Sequence, residues 1–270
     1  MDLIGKTVVI TGASSGIGEA CAYIFARQKV NLVLASRNIE KLQNVKAGCE
    51  DLGAVVVIVK CDVSLEEDCK KLVNQTILSF GKIHVFISNA GISMRALFVD
   101  TELDVIKKLM DVNFWGAVYC TKYALPFLLK EQGSLVAISS FAGYKGLPGR
   151  TGYSASKFAL NGFMESLRTE NQKTGLHVGV MSPGYTSSNI RNTALNAIGK
   201  PQSESPLNEN KLMSAARVAE RVLNMVEERK ETEILTLLSK ITFIVNKLFP
   251  KWVDKIIYKT IAKEKDSPFK

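Results

Sequence analysis

The sequence predicts an α/β fold: one doubly wound parallel sheet of about seven strands, followed by a C-terminal helical extension. Short apolar and β-branched runs alternate with amphipathic helical stretches, which is typical of a parallel sheet covered by helices on both faces. Polar residues able to bind or react come directly after several predicted strands, where ligands bind in such sheets. We therefore expect one domain over residues 1–238, with the extension of the same domain over residues 239–270.

The composition is that of a soluble globular protein. The 270 residues are 46% hydrophobic and 23% charged. Five cysteines without a C-x-x-C pair, and the lack of an apolar leader, predict reduced thiols in a cytoplasmic protein. Two histidines argue against a His-rich metal site, so we expect no metal. No uncharged apolar stretch reaches the length of a membrane-spanning helix.

The formal net charge of +9 is concentrated in the extension. Residues 239–270 carry eight lysines against three acids, a balance of +5, which leaves the body of the chain only mildly basic. A basic domain can bind nucleic acid or an anionic surface. Because the excess lies mainly in one segment, we expect no nucleic-acid partner.

The first predicted strand, residues 7–11, ends in a glycine-rich turn that leads into a helix over residues 19–28. Glycines let the backbone approach a pyrophosphate, and a helix N-terminus offers free N–H groups and a partial positive charge. Strand, glycine turn and helix together predict a Rossmann-type dinucleotide-binding unit. The predicted cofactor-binding residues of this turn are Gly12, Ser14, Ser15, Gly16, Ile17 and Gly18.

The same turn also fits the G-x-S-x-G nucleophile elbow of serine hydrolases, with Ser14 as the nucleophile. That interpretation requires an acid and a histidine brought to the serine from later in the chain. His177 lies within a predicted strand and His84 precedes another, so neither stands in a loop. The hydrolase is therefore only a remote alternative.

The second predicted strand, residues 31–36, is followed by Arg37 and Asn38. In dinucleotide folds an acid about 20 residues beyond the glycines binds the ribose 2′-hydroxyl, whereas an arginine there suits a 2′-phosphate. Arg37 lies 19 residues after Gly18, and no acid stands at position 36 or 37. The sequence favours NADP(H), with NAD(H) possible, although an arginine beginning a solvated helix remains an alternative.

The rest of the chain continues the alternation of strands and helices. Further strands are predicted over residues 54–60, 83–88, 134–139, 176–182 and 232–238. Asn38 should cap a helix that Gly53 ends, and Ser64 with Glu67 should form a capping box for a helix ending at Gly81. Later helices are predicted over residues 101–130, 153–173 and 214–230, and the long loop 187–212 is predicted to be a substrate lid.

Several polar and small residues follow these strands and should share the carboxyl edge of the sheet. That shared edge indicates a single crevice for a nucleotide and a second ligand. The predicted cofactor-binding residues beyond the glycine turn are Arg37, Asn38, Asp62, Val63, Asn89, Ala90, Gly91, Tyr153, Lys157, Pro183, Gly184 and Thr186.

Tyr153 and Lys157 are four residues apart on a predicted helix and therefore lie on one face. A tyrosine titrates at about 10, so bringing it to about 7 requires roughly 4 kcal/mol of preferential stabilisation of the phenolate. A neighbouring ammonium can supply that stabilisation. An exposed Tyr–Lys pair is the alternative, which the surrounding motifs oppose.

The extension has two apolar stripes at helical spacing, interrupted by Pro250, with lysines on the other faces. A basic amphipathic helix can lie in a membrane interface. The alternative is a helical extension that packs on its own sheet or on a partner subunit. Both interpretations stay open.

Taken together, the motifs resemble the short-chain dehydrogenase/reductase family over about residues 5–190, and more weakly its 11β-hydroxysteroid-dehydrogenase-like branch. They are the glycine turn after Thr11, Asn89-Ala90-Gly91, Asn113, Ser140, Tyr153-x-x-x-Lys157 and Pro183-Gly184. Two departures are Ser88, where the family often has Asn, and His84, where it often has Asp.

The resemblance implies the catalytic residues Asn113, Ser140, Tyr153 and Lys157. Tyr153 would exchange the proton with the substrate oxygen, Lys157 would lower its pKa and hold the nicotinamide ribose, and Ser140 would orient the substrate. Asn113 would bend its helix and hold a water that links Lys157 to solvent. The long helix with Asn113 and the Tyr153 helix would pack against a partner's copies in a homodimer or homotetramer.

The expected activity is NADP(H)-dependent oxidation or reduction of a small-molecule alcohol or carbonyl. A non-catalytic NADP(H)-binding sensor is the alternative from another class. Apolar residues in loops near the expected pocket favour an apolar ketone or secondary alcohol. They are Met94, Leu97, Phe98, Leu147, Tyr185 and Ile190.

Overall fold

A computed structural model describes residues 2–202, 204–205, 207–208, 212–264 and 267–269. These residues form one parallel sheet flanked by helices, with the strand order β3-β2-β1-β4-β5-β6-β7. The strands are β1 Thr7–Thr11, β2 Asn31–Ser36, β3 Val55–Lys60, β4 Val85–Ser88, β5 Ser134–Ile138, β6 His177–Ser182 and β7 Thr232–Ile234. The helices are α1 Gly16–Ala26, α2 Ile39–Asp51, α3 Glu66–Phe80, α4 Leu103–Met110, α5 Gly116–Lys130, α6 Thr151–Glu170, α7 Ala215–Glu228, α8 Leu237–Leu248 and α9 Pro250–Ala262.

The sheet is covered on both faces, as the apolar strands predict. Helices α1, α2 and α7 pack on one face around Phe25, Leu42 and Val222. Helices α3, α5 and α6 pack on the other around Leu72 and Met164. The predicted doubly wound fold is therefore confirmed.

The strand order reverses between β1 and β4, whose register places Ile10 beside Ile87. From β1 the chain winds outward through β2 to β3, then returns to add β4 on the other side of β1. In open α/β sheets the crevice at such a reversal is where ligands bind, outside the carboxyl ends of the strands. The fold thus fixes the position of the candidate site.

The predicted helix over residues 101–130 is divided. Helix α4 ends at Met110, a wider π turn runs over Asp111–Trp115, and α5 follows. Asn113 lies within the π turn, and π turns inside helices occur frequently at functional sites. The structure places the interruption at Asn113, while Pro126 stays within α5.

Two other expectations at element ends were wrong. Ser64 does not cap α3: the N-cap is Leu65 without a side-chain bond, and the Ser64 hydroxyl instead donates to Asp62 at 2.7 Å. Strand β7 ends at Ile234, because Thr236 accepts from the Ser239 N–H at 3.1 Å and begins α8. Asn38 caps α2, with the Lys41 N–H donating to its side chain at 2.9 Å, as predicted.

The C-terminal segment forms two helices, with Pro250 at the start of α9. Contacts with the body include the Lys145–Asp254 ion pair on α9, at 2.6 Å, and the Arg95–Glu264 ion pair just after α9, at 3.2 Å. None of the described helices is long and apolar enough to cross a membrane. The alternative of an extension that packs on its own domain is the one that this arrangement supports.

Candidate active site

A cavity of about 1230 Å³ opens at the carboxyl edge of the sheet. All of the predicted cofactor-binding residues except Gly18 line it, and so do three of the four predicted catalytic residues, Ser140, Tyr153 and Lys157. The fourth, Asn113, does not. The structure therefore brings most of the predicted site residues together at one cavity.

The glycine turn is shaped for close approach of a ligand. Gly12 and Gly16 have φ angles of +65° and +60°, which favour glycine. Ser15 is the N-cap of α1 but makes no side-chain bond, so the first N–H groups of this helix lack a side-chain cap, and Ser15, Gly16 and Ile17 line the cavity. Uncapped N–H groups at a helix N-terminus fit a phosphate, which supports the predicted nucleotide cofactor.

Gly18 packs closely against the glycine turn and Asn89. A Cβ at Gly18 would lie 2.3 Å from the Gly12 carbonyl oxygen and 2.4 Å from Asn89 Nδ2. Asn89 Nδ2 itself donates to the carbonyls of Thr11, at 2.9 Å, and Gly12, at 3.2 Å. Gly18 therefore acts through packing, and the Asn89 amide joins β1 to β4 at the point where the strand order reverses.

Arg37 and Asp62 lie at the outer end of the cavity, after β2 and β3. Their side chains approach to 3.9 Å, and that of Arg37 is 63% exposed. The Asp62 carboxylate is held in place by the Ser64 N–H, at 3.1 Å, and the Ser64 hydroxyl. An exposed guanidinium at the rim is free to turn toward an anionic group of a bound nucleotide.

Helix α6 presents Tyr153 and Lys157 to the inner end of the cavity. The Lys157 ammonium donates to the Ile138 carbonyl at 2.8 Å and lies 6.0 Å from the centre of the Tyr153 ring. Burial lowers the pKa of Lys157 to about 8. A lysine that titrates there can give and retake a proton near neutral pH.

The pKa of Tyr153 is raised, chiefly because the ring is buried. A hydrogen bond with the Ser140 side chain and the charges of Arg150 and Arg191 act in the opposite direction. In this geometry the Lys157 ammonium is bound to a carbonyl, so lowering of the Tyr153 pKa by Lys157 stays a prediction for the complex with cofactor.

Asn113 does not line the cavity, and its amide is bound to residues of two other segments. Its Oδ1 accepts from the Ile92 N–H at 2.8 Å, and its Nδ2 donates to the Ile92 carbonyl and the Ser156 hydroxyl, both at 2.9 Å. The π turn thereby connects the loop after β4 to helix α6. The predicted water at Asn113 is not tested by these contacts.

Among the predicted substrate-pocket residues, Leu147, Tyr185 and Ile190 line the cavity. Met94, Leu97 and Phe98 do not: Met94 is buried in a separate small core, and Phe98 is exposed. Part of the predicted lid also lines the cavity, while its residues 203, 206 and 209–211 lie outside the described residues.

Helices α8 and α9 form the roof of the inner cavity, which the sequence did not predict. The apolar stripes were the available signal, but they do not say what the stripes cover. The roof residues include Ile241, Val245, Trp252, Ile256, Ile257 and Ile261. Arg150 and Arg191 also line the cavity and were missed, because nothing in the local sequence distinguishes them from surface arginines.

The serine hydrolase alternative is wrong on geometry. His84 Nδ1 accepts from the N–H of Thr7 at the first residue of β1, whereas Ser14 follows the last residue of that strand. Five strand residues separate the two edges by roughly 16 Å. His177 also lies at the first residue of its strand and is bound to Ser134 and Lys230. No described histidine can therefore activate Ser14.

Residues 6–198 match the family model described as short chain dehydrogenase. The chain is 42% identical over 193 residues to the protein named 11-beta-hydroxysteroid dehydrogenase A of Sesamum indicum, a match that covers 70% of this chain and 55% of that protein. It is 40% identical over 223 residues to 11-beta-hydroxysteroid dehydrogenase-like 4A of Arabidopsis thaliana, covering 82% of this chain and 73% of that protein. The chain thus spans about half the length of the Sesamum protein.

Two solved structures share the fold. A short-chain dehydrogenase/reductase from Burkholderia phymatum in complex with NAD has a TM-score of 0.83 at 22% identity, covering 93% of this chain and 96% of that one. An alcohol dehydrogenase from Thermococcus sibiricus, complexed with 5-hydroxy-NADP, has a TM-score of 0.76 at 24% identity, covering 85% and 95%.

Proposed function

Because the chain belongs to the short-chain dehydrogenase family, we propose that it is an NADP(H)-dependent oxidoreductase acting on a carbonyl or secondary alcohol, with Tyr153 as the general acid or base. One observation carries the proposal. Tyr153, Ser140 and Lys157 line the same cavity as the uncapped N-terminus of α1. A phosphate-binding cradle and a proton-transfer group thus meet in one crevice.

The chain's own residues divide the work between binding and proton transfer. Ser140 and Tyr153 hold the substrate oxygen, and Tyr153 donates its proton to that oxygen during reduction. Burial raises the pKa of Tyr153, so the phenol is protonated, and the neighbouring cations must lower this pKa for efficient proton donation. The Lys157 ammonium stabilises the phenolate that remains and returns a proton to it. When bound, the nicotinamide supplies or takes up the hydride.

The choice of NADP(H) rests on Arg37. Its exposed guanidinium follows β2 at the rim of the cavity, where a ribose 2′-phosphate would add a negative charge. A charge-assisted contact of this kind contributes roughly 1.5–3 kcal/mol, or about 10- to 100-fold in affinity. NAD(H) remains the second cofactor to compare.

The test is a nicotinamide-absorbance assay over a panel of ketones and secondary alcohols. We expect turnover with NADPH, and a loss of at least about 10²-fold in kcat for Tyr153→Phe. Cofactor binding, followed by fluorescence, should survive that change. Arg37→Leu should weaken NADPH binding but not NADH binding, whereas Arg27→Leu, which changes an exposed arginine at the far end of α1, should alter neither.

Cofactor binding without turnover of any panel member would favour the sensor. Unchanged turnover of Tyr153→Phe would remove Tyr153 from its role. A substrate panel that supports NADH and NADPH equally, with no effect of Arg37→Leu, would contradict the NADP(H) preference.

A homodimer or homotetramer is supported by aromatic residues on the two helices that the resemblance assigns to subunit contacts. Trp115, at the start of α5, stacks on Tyr119 with 5.6 Å between ring centres and is still 43% exposed. Phe158 on α6 is also exposed. Large exposed rings on neighbouring helices suit an interface between copies.

Contact of the C-terminal helices with a membrane surface is supported by the outer face of α8 and α9. While Val253 and Ile261 are buried against the domain, large apolar side chains on the outer face remain exposed. They include Leu237, Ile244, Leu248 and Phe249. Lysines flank them, which is the pattern of a helix lying on an anionic bilayer.

In the remainder of the chain the five free, buried cysteines suit a reducing cytoplasm.

A further inference from the structure

Arg150 is a largely buried residue that lines the cavity and has no anionic partner among the described residues. The residue is 7% exposed. Among the described residues, its guanidinium makes a cation–π contact with the Tyr185 ring alone, whose centre lies 5.9 Å from Cζ. No hydrogen bond or ion pair of its side chain occurs within the described part of the chain. Arg95, by comparison, meets the carboxylate of Glu264 at 3.2 Å. Buried charges are normally paired, so Arg150 is an exception that requires a reason.

The position of Arg150 relates it directly to the reacting atoms. It is the N-cap of α6, three residues before Tyr153, while Lys157 stands four residues after. Tyr153 and Lys157 lie on one face of the helix, and Arg150 directly precedes its first residue. Arg150 lines the cavity and its charge acts on the Tyr153 phenol. A substrate oxygen bound at Tyr153 would therefore lie close to a second cation.

The cost of this arrangement argues for a ligand. An arginine stays protonated at any physiological pH, so the charge cannot be removed by titration. A planar carboxylate would accept two parallel N–H bonds from the guanidinium and neutralise it. The neighbouring Arg191, which donates to the Thr186 carbonyl at 2.5 Å, adds positive potential to the same wall of the cavity.

Another part of the lining has different chemistry. Helices α8 and α9 contribute the apolar side chains of Val245, Trp252, Ile256 and Ile257 to the same cavity. A cavity with a proton donor, a nearby cation and apolar side chains suits a molecule with three complementary groups: a hydrogen-bond acceptor, an anion and a hydrocarbon part.

We propose that Arg150 binds a carboxylate of the substrate, and that the substrate is an oxo acid or hydroxy acid with a hydrocarbon body. The carbonyl or carbinol meets Tyr153 and Ser140, the acid group lies a few bonds away at Arg150, and the chain extends under α8 and α9. This inference rests on the proposed oxidoreductase activity. It replaces the expected apolar ketone or secondary alcohol with one that also carries a carboxylate.

The kinetic test compares straight-chain oxo acids with their methyl esters, with the ketone moved stepwise along a ten-carbon chain. For at least one ketone position the protein should reduce the acid with a kcat/KM about 10- to 100-fold above that of its ester. Arg150→Gln should bring this ratio close to one, because any effect of the lost charge on the Tyr153 phenol is shared by acid and ester and cancels in the ratio. Arg150→Lys should retain part of the preference.

Lys108→Gln is the matched control, because Lys108 is an exposed cation at the rim of the same cavity. It should leave the acid-to-ester ratio unchanged. A ratio near one in the unmodified protein overturns the proposal. So does an equal loss with acid and ester in Arg150→Gln, since Arg150 would then act through the Tyr153 phenol.

A second measurement does not depend on turnover. Decanoate and decanol, which have no reducible carbonyl, are titrated calorimetrically into the unmodified protein and Arg150→Gln. Decanoate should bind the unmodified protein at least about tenfold more tightly than decanol does. This preference for decanoate should be absent in Arg150→Gln. Equal binding of the two overturns the carboxylate site. Preferential decanoate binding with no turnover of any ketone would support the site and instead contradict the proposed oxidoreductase activity.

Discussion

Lys157 carries a buried charge whose cost depends on pH. Its ordinary pKa of 10.5 is lowered to about 8 by burial, so between these values the unfolded chain binds a proton that the folded protein has lost. The free energy of unfolding therefore rises with pH over this interval. Below pH 8 both states are protonated and the cost of the buried ammonium is fully present.

We predict that Lys157→Met removes this rise. The difference of about 2.5 pKa units corresponds to about 3 kcal/mol, so the unmodified protein should gain most of that amount, relative to the variant, between pH 7 and pH 10. Urea unfolding of both proteins at the two pH values measures it, and effects of other groups cancel in the comparison. A constant difference between the two proteins would show that Lys157 stays protonated in the folded protein over this range, so that burial does not lower its pKa. Turnover of the variant should be lost.

Ser140, Tyr153 and Lys157 could be predicted from the sequence because each belongs to a motif with a fixed spacing and follows a recognisable strand or begins a helix. Arg150 could not, because its significance lies in what is missing around it. Whether an arginine is buried, and whether a carboxylate faces it, is decided by tertiary contacts. The Asn113 amide is similar: its partner Ile92 lies 21 residues away.

At the level of elements, the packing of α1 against the turn after β1 tolerates only glycine at position 18. A Cβ there would overlap the Gly12 carbonyl and the Asn89 amide, both part of the junction between β1 and β4. We predict that Gly18→Ala lowers the free energy of unfolding by about 1–3 kcal/mol. We also expect cofactor affinity to fall at least about tenfold, because the turn and the uncapped end of α1 move together.

Gly162→Ala is the control for this prediction. Gly162 lies in α6 with nothing within 4 Å of the position of an added Cβ. That change should raise the free energy of unfolding by about 0.5–1 kcal/mol, because alanine loses less conformational freedom in a helix. Chemical denaturation and fluorescence titration with NADPH measure both variants. A Gly18→Ala protein with unchanged affinity would mean that the turn does not hold the phosphates.

Helix boundaries show where sequence patterns stop being sufficient. Local chemistry correctly located the Asn38 cap and the left-handed glycines at positions 53 and 81. It failed at Ser64, whose hydroxyl is drawn to Asp62, and at the end of β7, where Thr236 begins a helix. Where two local hydrogen-bonding patterns compete, the choice is made by distant parts of the fold.

For the whole molecule, the doubly wound parallel sheet could be predicted from the alternation of strands with helices. The packing of the C-terminal segment could not. Its apolar stripes are equally compatible with a membrane, a partner and the domain itself. The structure assigns part of them to the roof of the cavity and leaves Ile244, Leu248 and Phe249 exposed.

We predict that the exposed part binds vesicles of mixed phosphatidylglycerol and phosphatidylcholine. The double change Leu248→Glu with Phe249→Glu should lower the partition coefficient at least about tenfold, since neither residue lines the cavity and both present apolar area. Leu78→Glu, an equally exposed leucine on α3, serves as the control and should leave it unchanged. Flotation measures the bound fraction, and equal flotation of all proteins would contradict membrane contact.

The roof of the cavity is made from the last helices of the chain, and this sets an order during synthesis. Every strand that bears on the crevice, up to Ser182, leaves the ribosome before Leu237, the first residue of α8. Domains begin to fold while they are being translated. A nascent chain can therefore begin to assemble the sheet that bears the crevice before helices α8 and α9, which cover part of the cavity, have been made.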